Sequence, residues 1–282
     1  MTLTERAGRW WLQPPGPELP PGLGPRELLR LVDTVEPRED GVPAFWIEHA
    51  TPRHDALVAE IGWHPDRRVV QMRGTTELDE QPVVPVRPFD PESDIPGLLR
   101  VNNEAFSWHP DQGGWSRHEL ARRMAEPWFD PEDLLVYEES GEIVGFCWIK
   151  PREDIHPPSG EIYVIGVRPD RQGRGLGRSL VLRGIEHIRR HGLGGVVLYV
   201  EHDNYPARRL YESLGLRVHH EDHRYVKTRP TGRGDQERRP TSESGGSPHD
   251  APRHIGDHSG YRGDEHLSER RIQHRPPGET RQ

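Results

Sequence analysis

The chain has 282 residues, 32% hydrophobic and 30% charged, with 38 basic against 46 acidic side chains for a formal charge of −8. The acidic balance speaks against nucleic acid as the main partner, because phosphate binding calls for a basic surface. So polar a chain is also expected to leave part of its length outside any folded core.

One cysteine, Cys147, leaves no internal disulfide and fits a reducing, cytoplasmic setting. No apolar run reaches the about 18 residues of a membrane span, and the amino terminus lacks a signal-peptide core. A monomer with no membrane and no nucleic-acid partner is expected.

Residues 1–25 are rich in proline and glycine and are expected to form a flexible segment. Leu28, Leu29, Leu31, Val32 and Val35 are spaced for a short helix over 26–35. Strands are expected at 44–48 and 68–72, with a helix at 55–61 between them. Together with a polar linker these make a small α/β unit over 26–80, too small to stand alone and expected to lean on the rest.

A longer unit over 81–227 follows. It opens with a short strand at 85–88 and a helix at 94–105. A second helix at 116–126 begins with Ser116 as N-cap and Glu119 three residues on, a capping box. Residues 134–137 and 143–149 form a hairpin. A strand at 161–167, a helix at 175–191, a strand at 195–200, a helix at 206–214 stopped by Gly215 and a strand at 216–226 complete the unit. The order β-α-α-β-β-β-α-β-α-β is that of an α/β domain. From 228 to 282 apolar residues nearly vanish, and this tail is expected to be disordered.

The strand EIYVIGV runs into RPDRQGRGLGR and then a helix. Gly173, Gly175 and Gly177 let backbone approach an anion, the unpaired amides of a helix start point at it, and Arg174 and Arg178 add positive charge. A glycine-rich turn that merely caps the helix is the alternative. The loop lacks the GK[ST] of a nucleotide-triphosphate loop and the G-x-G-x-x-G spacing of a dinucleotide fold.

The pattern V-x-P-x-x-Q-G-x-G-x-G between strand and helix resembles the GNAT acetyltransferase superfamily. So does NYPARR followed by LYESLGL at 204–216, where Leu216 stands in place of the family's phenylalanine. The resemblance implies a GNAT fold, with a mixed, mostly antiparallel sheet flanked by helices, and acetyl-CoA as co-substrate. It implies contacts to acetyl-CoA from Ile165, Gly166 and Val167, from Gln172, Gly173, Arg174, Gly175, Leu176, Gly177 and Arg178, and from Asn204, Tyr205, Pro206, Ala207, Arg208 and Arg209.

Within that superfamily, VNNEAFSWHPDQGGWS, EPWFDPEDLL, FCWIK, GEIYVIGV and LYVEHDN are similar to the mycothiol synthase family over about residues 83–227. That resemblance implies acetylation of the cysteinyl amine of cysteinyl-glucosaminyl-inositol. It assigns Glu161 as general base, Tyr211 as general acid, and Asp111, Lys150, Glu161 and Tyr199 to acceptor binding. Asp111 stands where a glutamate is commoner. A loop carboxylate capping a turn at 111, an exposed hairpin-end charge at 150, a solvated strand-end carboxylate at 161 and a packing role for Tyr211 are the alternatives. No metal is expected, and Cys147 reads as a small buried group. Trp108, Trp115 and Trp128 either shape a pocket or form a satellite core.

The family carries two tandem GNAT units. Here 44–72 resembles the end of the first unit, whereas residues 1–40 are not expected to match its earlier part. A late-assigned start or a truncation is the expectation. Acetylation of a protein amino terminus or another small amine, and a non-catalytic acyl-CoA-binding protein, remain as other readings.

Overall fold

A computed structural model describes residues 2–6, 9–13, 23–35, 43–77, 79–109, 112–152 and 154–227. The expected tail at 228–282 lies outside the described residues, as does Asp111.

The amino-terminal elements are β1 (Thr2–Arg6), β2 (Arg9–Gln13), α1 (Pro25–Val32), β3 (Ala44–Ile47), α2 (Pro52–Glu60) and β4 (Trp63–Thr75). Then come β5 (Arg87–Pro88), α3 (Ile95–Ala105), α4 (Arg117–Met124), β6 (Leu134–Glu139), β7 (Glu142–Arg152) and β8 (Ser159–Val167). The last elements are α5 (Leu176–Arg190), β9 (Gly195–Glu201), α6 (Tyr205–Ser213) and β10 (Arg217–Lys227). From β5 onward this is the expected order. Ser116 accepts from the Glu119 amide and Glu119 reaches back to the Ser116 amide, so the capping box is formed. Ser140 and Gly141 both take positive φ, the conformation of a tight type I′ hairpin between β6 and β7.

All strands join one sheet in the order β1-β2-β3-β10-β4-β9-β8-β7-β6-β5. Among the described pairings β2–β3 and β8–β9 run parallel and the rest antiparallel. The mixed, mostly antiparallel sheet is therefore as expected. The run β1-β2-α1-β3-α2-β4 repeats the order of β7-β8-α5-β9-α6-β10. The two runs meet by exchange: β10 lies between β3 and β4, and β4 lies between β10 and β9.

Two expectations are corrected. Residues 2–6 and 9–13 are strands, not flexible chain. Leu3 and Leu12 face one core cluster while Trp11 faces another, a period-2 burial that the proline-rich stretch beside it obscured. Strand β4 is also longer than the expected 68–72. Pro65 enters it at a register shift against β10, where a missing amide does no harm.

Helices α5 and α6 cover one face with Leu180, Val181, Ile185, Ile188, Ala207 and Tyr211. Helices α3 and α4 cover the other face of β6–β8 with Leu98, Val101, Phe106 and Leu120. Helix α1 and helix α2 pack with β1–β3 and with Tyr225 of β10. No helix among the described residues is long and apolar enough to cross a membrane.

Candidate active site

Strands β8 and β9 pair from Ser159–Gly195 to Ile162–Leu198, and the ladder ends there. Beyond it β8 continues as Tyr163–Val167, so the two strands part in mid-sheet. Register against β7 shifts at the same place: Trp148 pairs with Val164 and Ile149 with Ile162, leaving Tyr163 as the extra residue of a bulge. Ile165, Gly166 and Val167 lie on the separated stretch, still paired with β7 and buried.

Past Val167 the chain enters the glycine loop. Gln172 donates its side-chain amide to the Val167 carbonyl at 2.9 Å, clamping the loop to the strand end. Gly173 and Gly175 sit at φ of 73° and 79°, where a side chain would be strained. Gly175 is the N-cap of α5, and the first helical bond runs from the Ser179 amide to the Gly175 carbonyl. The amides of Leu176, Gly177 and Arg178 thus stand at the positive end of a 15-residue helix. Arg174 lines a groove of about 340 Å³ with Arg171, Tyr137 and Ser179. Arg178 is turned to the linker, where it forks onto Glu80 and donates to Ser213 at 2.7 Å. Ser179 holds that linker down by accepting from the amides of Val83 and Val84.

On α6, Asn204 is the N-cap, its side chain accepting from the Ala207 amide at 3.3 Å. Tyr205, Pro206 and Arg209 are exposed, and Ala207 is a core residue. Arg208 donates to the His202 carbonyl at 2.9 Å. Tyr211 is fully buried on the α5–α6 side of the sheet, with its hydroxyl sealed from solvent.

The expected acceptor residues gather on the opposite face. Glu161, Lys150 and Tyr199 are buried at 0%, 1% and 0% exposure, which removes the reading of solvated surface charges for the two ionic ones. Glu161 lies one residue before the last β8–β9 pair and opposite Lys150 on β7. The Lys150 ammonium stands 4.9 Å from the ring centre of Trp128 and 6.0 Å from that of Tyr163, two cation–π contacts. Burial raises the Tyr163 phenol above its ordinary range.

Three members of this cluster were not foreseen. Arg152, two residues after Lys150 and thus on the same face, donates to Glu161 at 2.6 Å and forks onto Asp154 at 2.7 and 2.6 Å. Burial works against its charge, but the bonds to Asp154 and the charge of Glu161 more than offset it and raise its pKa. Gln71 of β4 donates to the Tyr199 hydroxyl and accepts from Arg73 at 2.6 Å. The even spacing of Lys150 and Arg152 on one strand was a readable signal. Nothing local to Gln71 announces its neighbour on β9.

The motif VNNEAFSWHPDQGGWS builds the loop beside this face. Asn102 donates to the Gln112 carbonyl, and Asn103 holds Trp115 through its carbonyl and its amide. A side chain at Gly113 would meet the Phe106 carbonyl at 2.3 Å, and Gly114 needs φ of 72°. The Gln112 amide donates to Nδ1 of His109, whose Nε2 lies 3.1 Å from the Arg67 guanidinium and 3.4 Å from Glu201. Arg67 of β4 binds the same Glu201 carboxylate. Trp115 is buried under Arg123, Trp128 meets Trp148 at a tilt and Tyr163 edge-on, and Trp108 is exposed. Cys147 is buried in the α5 core, as read.

The Acetyltransferase (GNAT) family model matches residues 100–216. A mycothiol acetyltransferase of Nocardia farcinica is 43% identical over 190 residues, covering 64% of this chain and 63% of the relative. One of Rhodococcus jostii is 40% identical, covering 73% and 70%, and one of Segniliparus rotundus is 39% identical, covering 73% and 80%. The chain spans less than two thirds of the Nocardia farcinica relative and of one from Thermomonospora curvata, 63% and 64%. Among solved structures, a GCN5-related N-acetyltransferase from Sphaerobacter thermophilus shares the fold at a TM-score of 0.53 and 24% identity, over 72% of this chain and 63% of that one. The chain belongs to the mycothiol acetyltransferase family of GNAT acetyltransferases.

Proposed function

We propose that this protein transfers acetyl from acetyl-CoA to the cysteinyl amine of cysteinyl-glucosaminyl-inositol. The observation that carries the reading is the buried carboxylate of Glu161 on the acceptor face, one residue before β8 and β9 part.

The residues present fit acetyl-CoA. The positive-φ glycines leave open space where a Cβ would stand, and the α5 amides offer donors to a pyrophosphate. Backbone of Ile165, Gly166 and Val167 borders the parting of the strands, where a pantetheine arm can pair with it. Residues 204–209, at the start of α6, are assigned to the same co-substrate. Bound there, acetyl-CoA supplies an activated thioester.

An attacking amine must be neutral, so a base has to take its proton. In this reading Glu161 takes it, directly or through water. Tyr211, buried on the α5–α6 side of the sheet, returns a proton to the departing thiolate. Lys150 and Tyr199, together with Asp111, serve the hydroxyl-rich body of the acceptor, which offers little apolar grip. The amino-terminal unit is read as the second half of a GNAT repeat. In the exchanged sheet it contributes β4 to the acceptor face.

The test is acetyl transfer from acetyl-CoA to cysteinyl-glucosaminyl-inositol, followed by product mass because the acceptor bears its own thiol. Peptide amines are assayed alongside. Turnover on the former is expected, and activity on peptides alone overturns the proposal. Glu161→Gln is expected to lower turnover about 100-fold or more while leaving acetyl-CoA binding in place.

A further inference from the structure

The carboxylate proposed as base is not solvated. Its Oε2 meets Arg152 at 2.6 Å, and the two side chains are 0% and 2% exposed. A cation so close favours the ionised carboxylate and opposes proton uptake, against the burial that favours the neutral acid. A base works best with a pKa near the working pH, and an α-amine titrates near about 8. Arg152 alone would therefore make Glu161 a poor proton acceptor. The same guanidinium, however, is forked from its other side by Asp154, through Nε at 2.7 Å and a terminal nitrogen at 2.6 Å. Asp154 is 59% exposed, at the outer end of the cluster.

We propose that Arg152 and Asp154 form a two-step charge relay that sets the protonation of Glu161. Arg152 is a positioning residue that fixes the carboxylate and its rotamer. Asp154 offsets the guanidinium charge and so governs how firmly that carboxylate is held ionised. This rests on the reading of Glu161 as base.

Among the described residues, charged and titratable groups beside Glu161 include Lys150 on β7, Tyr163 on β8 and Tyr199 on β9. Arg123 of α4 and Glu126 just after it act on Tyr163 from the helical side. These groups are common to every variant below, so differences between variants report on Arg152 and Asp154.

The relay makes two signed predictions that oppose each other. In Arg152→Gln the buried carboxylate loses its cation and its pKa rises. The acid limb of the kcat/KM profile then moves to higher pH by about one unit or more, a loss of about tenfold at any pH below the limb. In Asp154→Asn the guanidinium is less offset, the Glu161 pKa falls, and the limb moves to lower pH by a fraction of a unit, since water screens so exposed a carboxylate. Arg152→Lys keeps the charge and restores the limb to near its wild-type position. A purely structural Arg152 would lower kcat in both substitutions without moving the limb.

The experiment measures kcat/KM against pH for the full chain and these variants, with acetyl-CoA binding as the check on folding. A ¹³C titration of labelled glutamate carboxylates runs beside it, with the Glu161 signal assigned by its loss in Glu161→Gln. Opposite shifts in Arg152→Gln and Asp154→Asn support the relay. A limb and a ¹³C titration that stay in place in both, or move the same way in both, overturn it. If Arg152→Gln does not fold, the surface variant Asp154→Asn decides, downward movement for and none against. If Glu161→Gln retains full turnover, the base assignment fails. The ¹³C titration then still tests the relay by itself.

Discussion

Gln71 of β4 donates its side-chain amide to the hydroxyl of Tyr199 on β9, so the two sequence-distant units share a hydrogen bond on the candidate acceptor face. Arg73 fixes the other end of the Gln71 side chain, which leaves Tyr199 one preferred orientation. Gln71→Leu is expected to release that hydroxyl and raise the acceptor KM about tenfold, equal to about 1.4 kcal/mol. The KM for acetyl-CoA should be unchanged. Steady-state kinetics with each substrate varied in turn checks this, and an equal rise in both would place Gln71 outside the acceptor face.

Gly175 gives a second expectation. Its φ of 79° belongs to the left-handed region, which costs a residue with a Cβ about 1–2 kcal/mol. No atom obstructs a Cβ there, so Gly175→Ala acts through backbone conformation. It should tilt the first amides of α5 and weaken acetyl-CoA binding, measured by calorimetry, with little change in the far-ultraviolet spectrum.

Asp55 of α2 joins the units at another point. One of its oxygens accepts from the Tyr225 hydroxyl at 2.7 Å and lies 2.9 Å from His223, both on β10. Asp55→Ala leaves those two buried groups without this partner and should cost about 2 kcal/mol in denaturant unfolding. A change within about 0.5 kcal/mol would mean that the contact adds nothing net.

The same seam sets a pH dependence. Burial opposes the charge of His223, but its bonds to Glu221 and Asp55 prevail and raise its pKa above 6.5. Its contribution is complete below 6.5 and fades as pH rises through the folded value. Glu221 is held at about 2 by the bond from His223, against 4.5 when free, so its contribution is lost as pH falls from 4.5 toward 2. Burial lowers His219 to about 4, so folding favours its neutral form and loses that preference between 6.5 and 4. The melting temperature should peak near pH 6.5 and decline on both sides. A continued rise from pH 6.5 to 8 would remove His223 from this role.

The fold of the carboxy-terminal unit was legible because its signals are local. The capping box at Ser116, the Ser140–Gly141 turn and the glycine loop each specify their own backbone. The glycine and asparagine residues of VNNEAFSWHPDQGGWS could be recognised as a signature, but not as loop carpentry. Their partners, such as the Phe106 carbonyl facing Gly113, are known only once the loop is folded. The grouping of Lys150, Glu161 and Tyr199 was anticipated from resemblance, and the burial of the two charged ones was not. Sequence patterning had little to say about β1 and β2, which are short and lie beside prolines. It had nothing to say about β4 entering between β9 and β10, since pairing between distant strands has no local code.

The exchange of β4 and β10 also bears on the order in which the chain can fold. The first unit is completed by the last described strand, and contacts such as His49 to Asp222 close a separation of 173 residues. A nascent chain leaving the ribosome would hold β3 and β4 apart, each with an open edge, until β10 had emerged. Folding dominated by such distant pairings is slow and exposes strand edges meanwhile. Full assembly of either unit therefore waits on the synthesis of nearly all of the described chain. A premature stop before β10 would strand both units together rather than spare the first.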